Sequence, residues 1–538
     1  MNLLIITAVL FLAIIATKLS NRSGLPALLL FLFLGVVFSA LGINFNNFQI
    51  ADHIATTALM IIMFYGGFGT NWNMGKPVAK EAIVLASAGV VLTALITGAF
   101  CYYFLKFSFL EAMLLGSIVA STDYASVSNI LVSKNLNLKY STAPLLEIES
   151  GSNDPTAYTM TMIFLSLIMG TDVSVPVLVI KQVAIGIGAG FLLGIVFFKI
   201  IEKLSLDDDG LFSVFIATIM IGTYAITSSL GGNGFLALYI LGIYIGNHEF
   251  VKKRDVVFFY DGLSTIFQIA MFFLLGLLSE FDLIIKAIPI GFIIMLFMLF
   301  IARPLSVFGL MAPFKMKKNQ LTLISIAGLR GAAAIAFAIM AINSGANISI
   351  DVYHIVFVIC IFSLLIQGTI LPLATKKLDM FDPNDSVLRT FNYYSDKTAI
   401  EFIRTAVTRS SPWVNKKISD IQIAFNVIIA KIERENVSIV PRGNTVLREG
   451  DTIVIGGEAY FDKTGQDLLE IKISENHAWA DKKVKDINIP VDELIIMIQK
   501  QNGEIIVPRG NTILEAGDRA VISKEINEIK DPKWKYKI

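Results

Sequence analysis

Up to about Lys377 the chain alternates apolar runs of some twenty residues with short polar or basic connections. Runs of that length cross a bilayer as helices. Thirteen can be read, centred near Leu10, Phe33, Met60, Leu92, Ser121, Thr156, Gly188, Ile219, Leu238, Ile269, Met295, Ala332 and Ser363. The ninth, Gly232 to Gly246, is short and glycine-rich. Beyond Lys377 charged residues become frequent and apolar runs shrink to strand length. Alternating or β-branched stretches at 437–440, 452–455, 504–507 and 519–522 flank Pro-Arg-Gly-Asn and Gly-Asp turns, which is the pattern of hairpin-rich α/β modules. The expected architecture is an all-α polytopic membrane domain over 1–376, a short connector from about Leu378 to Asp396, and two small α/β cytoplasmic modules over 389–460 and 461–530.

Composition agrees with this division. Of 538 residues, 55% are hydrophobic and only 16% charged, where a soluble protein carries about a quarter. A net charge of +1 gives no electrostatic case for nucleic acid. The two cysteines, Cys101 and Cys360, lie in apolar runs and read as buried thiols without a disulfide framework. Asn2 to Thr17 has no basic leader or small-residue cleavage site, so it reads as a retained first helix.

Basic residues recur in alternate connections: Lys18 and Arg22; Lys76 and Lys80; Lys134 and Lys139; Lys199 and Lys203; Lys252, Lys253 and Arg254; then Arg303, Lys315, Lys317 and Lys318. Only Lys106, Lys181 and Lys286 lie near the other side. The positive-inside rule then places the amino terminus outside and the carboxyl terminus in the cytoplasm of a cell (inner) membrane.

Against this apolar background, polar residues at membrane depth are costly and call for a role. The sixth run, Ala143 to Met169, contains Glu147, Glu149, Ser150, Asn153 and Asp154. On a helix Glu147, Ser150 and Asp154 share one face, while Glu149 and Asn153 stack on a neighbouring one. Three carboxylates in one span exceed what packing explains and point to an ion or proton pathway. The fifth run carries Ser121, Thr122, Asp123 and Ser126. Small hydroxyls around a carboxylate suit a helix that breaks, because their oxygens and the freed carbonyls can coordinate a dehydrated cation. In the twelfth run Arg330 stands between Gly328 and Gly331. A buried guanidinium needs carboxylate or carbonyl partners, and Glu149 and Glu147 are the candidates. Locking two helices is the expected role of Arg330, since a fixed positive charge in the pathway would repel cations.

The tail contains an internal repeat. Trp413 and Trp479 each open Trp-x-x-Lys-Lys-x-x-Asp-Ile, and Val440 and Val507 each open Val-Pro-Arg-Gly-Asn-Thr. This repeat resembles the TrkA-C (RCK carboxyl-terminal) regulatory domain, present twice. Arg442 and Arg509 read as solvated hairpin-tip residues, and no Gly-x-Gly-x-x-Gly follows a strand.

The three membrane motifs together resemble the monovalent cation–proton antiporters, most closely the potassium–proton branch with TrkA-C domains. Thr122-Asp123, Glu149-Ser150 with Asn153-Asp154, and Gly328-Leu329-Arg330-Gly331 match the motifs of that family; Tyr124 departs from it. The resemblance implies an inverted repeat whose fifth and twelfth helices are discontinuous and cross, with segments one to three and seven to ten as a homodimer scaffold. It implies that Asp154 is the exchanged cation and proton site, shaped by Asp123, Thr122 and Asn153. Oxygens of Asp154, Asp123, Thr122 and Ser150 would then meet the transported K+ or Na+. It implies structural roles for Arg330, Glu149 and Glu147, and cyclic di-AMP as a regulatory ligand of the tail.

One carboxylate holding either a proton or a cation, and exposed to each side in turn, couples two fluxes by competition. The expected function is therefore exchange of a monovalent cation, K+ before Na+, for H+, with no resident cofactor. Two alternatives stay open at this stage. A regulated potassium channel lacks its expected filter sequence here, and a non-transporting ion sensor would keep the polar residues for structure alone. An enzyme is disfavoured, because His53, His248, His354 and His477 are scattered and no nucleophile motif appears.

Overall fold

In the computed structural model the apolar runs become thirteen helical segments among the described residues. The structure describes residues 3–23, 27–43, 45, 47–134, 136–171, 174–203, 209–248, 250, 253–382, 400–409, 411–421, 428–434, 437–458, 468–473, 477–487, 489, 493–500, 505–506 and 508–524. Lys252, Glu504, Val507 and the 383–399 part of the connector lie outside the described residues, as do the side chains of Arg22, Tyr124, Lys203 and Arg254.

The segments run Leu3–Ser23, Ala27–Ala40, Phe48–Gly69, Trp72–Tyr103, a broken fifth (Phe109–Ile118 and Tyr124–Ser133), Thr142–Ile168, Val175–Lys203, Asp209–Ser229, Gly234–Gly246, Lys253–Leu277, Phe281–Phe314, a broken twelfth (Lys318–Ile326 and Ala332–Asn343), and Val352–Lys377. Seven of them are continuous, apolar and long enough to cross a bilayer. Several starts are capped as their sequences dictate. Asn47, Ser108, Asn233 and Asp351 accept from the third residue on, at Ile50, Glu111, Leu236 and His354, which satisfies an otherwise orphaned amide.

The second segment packs on the tenth, and the third on the ninth, through glycines that let backbones touch. A Cβ on Gly35 would meet the backbone of Phe273 and Gly276, and one on Gly242 the backbone of Phe64 and Phe68. Gly35 and Gly242 stand at the same sequence interval as Asp123 and Arg330. The fourth and eleventh segments each contain a π-helical turn, Leu85–Gly89 and Met298–Ala302. The two copies are thus related by seven crossings, an odd number, so the second is inverted relative to the first.

One reading of the basic residues needs correction. Arg303 does not belong to a connection. It follows the π turn inside the eleventh helical segment and is 2% exposed. The apolar stretch Phe281–Phe314 is 34 residues long, more than the roughly 20 that span a bilayer, so its far third is helix continuing past the expected boundary.

The tail, residues 395–538, forms its own unit. Strands β1 (Ile400–Ala406), β2 (Ile428–Arg434), β3 (Val437–Ile439) and β4 (Thr452–Glu458) make a four-stranded sheet in the order β1-β4-β2-β3. β5 (Leu468–Lys472), β7 (Glu493–Gln499), β8 (Ile505–Ile506) and β10 (Arg519–Lys524) make a second, in the order β5-β10-β7-β8. β6 (Lys482–Lys483) and β9 (Ile513–Leu514) pair separately. The paired strands are antiparallel, and each sheet covers a small apolar cluster, Val407, Ile429, Ile432, Leu447 and Ile453 in the first and Ile473, Ile495, Ile498, Leu514 and Ile522 in the second. The repeat is visible in the polar detail as well. Gly450 and Gly517 hold φ of 86° and 94°, which a side chain would strain. The aspartate after each is buried against a basic residue, Asp451 with Arg434 and Asp518 with Lys500, at 2.7 and 2.8 Å.

Candidate functional site

Two helix breaks meet at the centre of the membrane domain. The fifth helix stops at Ile118 and resumes at Tyr124; the twelfth stops at Ile326 and resumes at Ala332. Breaks free backbone groups that lipid cannot satisfy, and here each break supplies partners for the other. The Asp123 amide donates to the Leu329 carbonyl at 2.8 Å. Arg330 Nη1 donates to the carbonyls of Ala120 and Ser121, the latter at 2.6 Å. The thirteenth segment completes the set. Ser363 Oγ accepts from the Arg330 amide at 2.9 Å, and Gln367 Nε2 donates to the Ile326 and Gly328 carbonyls.

Gly331 stands against the fifth segment, since a Cβ there would collide with the Asp123 carboxylate. Asp123 itself caps the second half of its helix, accepting from Ser126 Oγ at 2.6 Å. The predicted pairing of Arg330 with Glu149 or Glu147 is not what forms. Glu149 pairs with Arg303, N to O at 2.5 Å, both side chains buried. Arg330 ties the two breaks together through main-chain carbonyls instead. The carbonyls of Ala120 and Ser121 are therefore engaged.

The sixth helix sorts its polar residues by face, as its spacing predicts. Glu147, Ser150 and Asp154 line a cavity of about 160 Å³, which also receives Ser121, Thr122 and Asp123 from the fifth segment and Asp261 from the tenth. Asp154 is 7% exposed and accepts a hydrogen bond from Ser121 Oγ. Thr122 Oγ1 and Ser150 Oγ are 2.8 Å apart, and Asn153 donates to Thr122 Oγ1 at 2.5 Å. Asn153 thus orients a hydroxyl without lining the cavity. Hydroxyl and carboxylate oxygens gathered in this way are hard ligands suited to a dehydrated alkali cation or a proton. Four carboxylates, those of Asp123, Glu147, Asp154 and Asp261, line the cavity, with no lysine, arginine or histidine among its described lining.

Seven further residues take part that the sequence patterns do not single out. Arg303 reads from the sequence as a connecting-loop base. Ser363 and Gln367, one helical turn apart, were a visible polar pair in an apolar run. Asp261, Ser264, Thr265 and Gln268 recur with helical period along the tenth segment and line the cavity's flank, with Tyr65 donating to Asp261 at 2.9 Å across it.

The family model described as sodium/hydrogen exchanger, transmembrane, matches residues 6–377. The TrkA-C domain model matches 403–459 and 468–531. The K(+)/H(+) antiporter NhaP of Alkalimonas amylolytica is 32% identical over 468 residues, covering 85% of this chain and 81% of its own. The K(+)/H(+) antiporter NhaP2 of Shewanella baltica is 30% identical over 458 residues, covering 83% and 79%. The solved structure of the sodium proton antiporter MjNhaP1 from Methanocaldococcus jannaschii at pH 8 shares the fold, with a TM-score of 0.62 and 22% identity over 69% of this chain and 97% of that one.

Proposed function

The chain belongs to the transmembrane sodium/hydrogen exchanger family and carries two TrkA-C domains, and we propose that it exchanges a monovalent cation, potassium in preference to sodium, for protons by alternating access. The observation that carries this reading is a buried Asp154 beside the crossing of two broken helices, in a cavity with hydroxyls and carboxylates and no basic side chain among its described lining. Asp154 holds a proton or a cation, not both. A cation arriving with Ser121, Thr122 and Ser150 oxygens around it displaces the proton, and the reverse displacement returns the carrier. Asp123 holds the helix cap beside it. Because the same carboxylate serves both ligands, each crossing of the site carries one or the other, and a gradient of either drives the other. Potassium is favoured by the named activity of the NhaP and NhaP2 relatives.

The cavity extends past Ser128 and Asn129 towards the Lys134 and Lys139 end of its helices. With the carboxyl terminus in the cytoplasm, as the basic residues argue, it faces inward. We place the protein in the cell membrane as a homodimer, with segments one to three and seven to ten forming the scaffold. The tail domains regulate exchange, and a cyclic dinucleotide such as cyclic di-AMP is the ligand this reading assigns to them.

A short path for that regulation starts just after the last helix. Leu138 and Phe381 form an antiparallel bridge, the Lys139 amide donates to the Met380 carbonyl at 2.9 Å, and the Asp382 amide to the Asn137 carbonyl at 3.0 Å. Residues leading to the tail are thus bonded to the loop that joins the broken fifth helix to the sixth, which carries Asp154. The test of function is pH-dye dequenching in proteoliposomes on adding potassium or sodium. Asp154→Asn is expected to abolish cation-dependent proton flux while the purified protein stays folded. Robust flux in that variant overturns the assignment.

A further inference from the structure

Exchange at Asp154 leaves Glu147 unexplained. It lies two turns away on the same face of the sixth helix, roughly 10 Å along the axis, lines the same cavity, and is 4% exposed. The third buried carboxylate of this helix, Glu149, is neutralised by Arg303. Glu147 is not. Among the described residues neither of its oxygens, nor the hydroxyl of Tyr239, 3% exposed, has a partner in hydrogen-bonding geometry, and Thr70 is the hydroxyl that lies beside both. The Thr70 hydroxyl nearby gives its proton to the Gly66 carbonyl at 2.8 Å.

Tyr239 comes from the ninth segment and rests on Gly151. A Cβ at 151 would lie 2.8 Å from its ring edge and 3.0 Å from its hydroxyl. The unpaired hydroxyl is therefore set against the helix at the level between Glu147 and Asp154. An ionised carboxylate buried without partners costs several kcal/mol at membrane depth, and a proton removes that cost. A residue kept only for packing would carry no such penalty.

We propose that Glu147, assisted by the Tyr239 hydroxyl, is a proton-carrying station between Asp154 and the cavity mouth. This rests on the exchange reading and adds a route to it. When a cation takes Asp154, the departing proton passes through cavity water and the Tyr239 hydroxyl to Glu147, and Glu147 releases its own proton to water at the mouth. One O–H bond breaks and one forms at Glu147, and no net charge is left on it. The cavity has room for several bridging waters. The other titratable groups around this route are Glu149 on the same helix, Asp123 on the fifth segment, Tyr65 on the third and Asp261 on the tenth.

The test is initial potassium-driven proton flux by the full-length protein in proteoliposomes, measured from pH 6 to 9 at saturating potassium, for Glu147→Gln, Glu147→Asp and Tyr239→Phe. Glu147→Gln keeps size and removes the exchangeable proton. It is expected to lower turnover by about tenfold or more, as the loss of a positioned acid–base group does. It should also flatten the pH profile and leave the potassium concentration for half-maximal flux within about twofold. Glu147→Asp should restore part of the turnover, and Tyr239→Phe should lower it less. Wild-type turnover and pH profile in Glu147→Gln overturn the proposal. So does a raised half-maximal potassium concentration at unchanged turnover, which would make Glu147 a cation ligand. If Glu147→Gln fails to assemble, a Tyr239→Phe pH profile identical to wild type overturns the relay. Flux persisting in Asp154→Asn would instead defeat the exchange reading, so the two failures are distinguishable.

Discussion

Glu149→Gln is expected to destabilise the membrane domain more than any other single polar substitution near the site. Glu149 is 0% and Arg303 3% exposed at their side chains, so water screens neither charge. A surface pair would be worth about 0–1 kcal/mol, but removing one member of a buried pair costs roughly 3–5 kcal/mol because the other charge is stranded. The two directions differ. Arg303 and Arg330 line one narrow void. Glu149→Gln therefore leaves two guanidiniums near each other without their carboxylate and should fall near the top of that range. Arg303→Met keeps most of the aliphatic stem, removes a like charge from Arg330, and leaves Glu149 with a cation nearby; it should fall near the bottom. The double variant leaves only Arg330 charged, still bonded to its carbonyls, and should cost clearly less than the sum, giving a coupling of about 2 kcal/mol or more. Reversible unfolding in mixed micelles, run as a double-mutant cycle, measures all three. Single variants each within about 1 kcal/mol of the parent, or a strictly additive double, would refute the buried-pair argument.

Other expectations follow from single contacts. Gly331→Ala drives a methyl into the Asp123 carboxylate and should reduce flux severely with little loss of expressed protein; normal flux would show the breaks can separate freely. In the tail, the Arg434 guanidinium bonded to both oxygens of Asp451 at 2.7 Å holds that carboxyl below its ordinary range. A depressed carboxylate contributes stability above its unfolded pKa that fades as pH falls through the folded value. Protection of β2 and β4 amides relative to their intrinsic exchange rates should therefore fall below about pH 4, and Asp451→Asn should lower it by about tenfold at neutral pH; unchanged protection would count against the pair. Inserting a flexible Gly-Ser segment after Asp382 keeps the bridge at Leu138 and Phe381 but slackens its link to the tail. Basal exchange should persist with a smaller response to the tail ligand, and a full response would exclude this path.

Much of the site was legible because helical spacing and the cost of burying charge act locally. Glu147, Ser150 and Asp154 share a face by arithmetic, and they line the cavity together. Hydroxyls around Asp123 announced one break and the family resemblance implied the second, and both occur. Partner choice was not legible. Arg330 bonds carbonyls, which leave no mark in a side-chain sequence, and the Glu149 partner is distant in the chain. Arg303 looked like a loop base because it closes an apolar run longer than a bilayer needs. The stripe from Asp261 to Gln268 has helical period, but its polarity near a helix end reads equally as an interface with water.

The crossing also supplies a physical reason to propose Asp154, and not Asp123, as the exchanged group. Two half-helices end there with freed carbonyls and two begin with freed amides, so partial negative and partial positive charges face each other. Arg330 answers the carbonyl end after Ile118, and Asp123 answers the amide end at Tyr124, capping through Ser126. These residues occupy equivalent positions in the inverted repeat, one acid and one base; Arg330 holds the other copy's break, and the Asp123 side chain caps its own. Protonating Asp123 would weaken the bonds that hold its helix start. Asp154 lies on an unbroken helix, and its one assigned hydrogen bond comes from a rotatable serine hydroxyl. Its carboxylate can trade a proton for a cation without unmaking the fold. A fixed acid–base pair that maintains the crossing, beside a mobile-ligand carboxylate in the cavity, divides structure from transport at one point in the membrane.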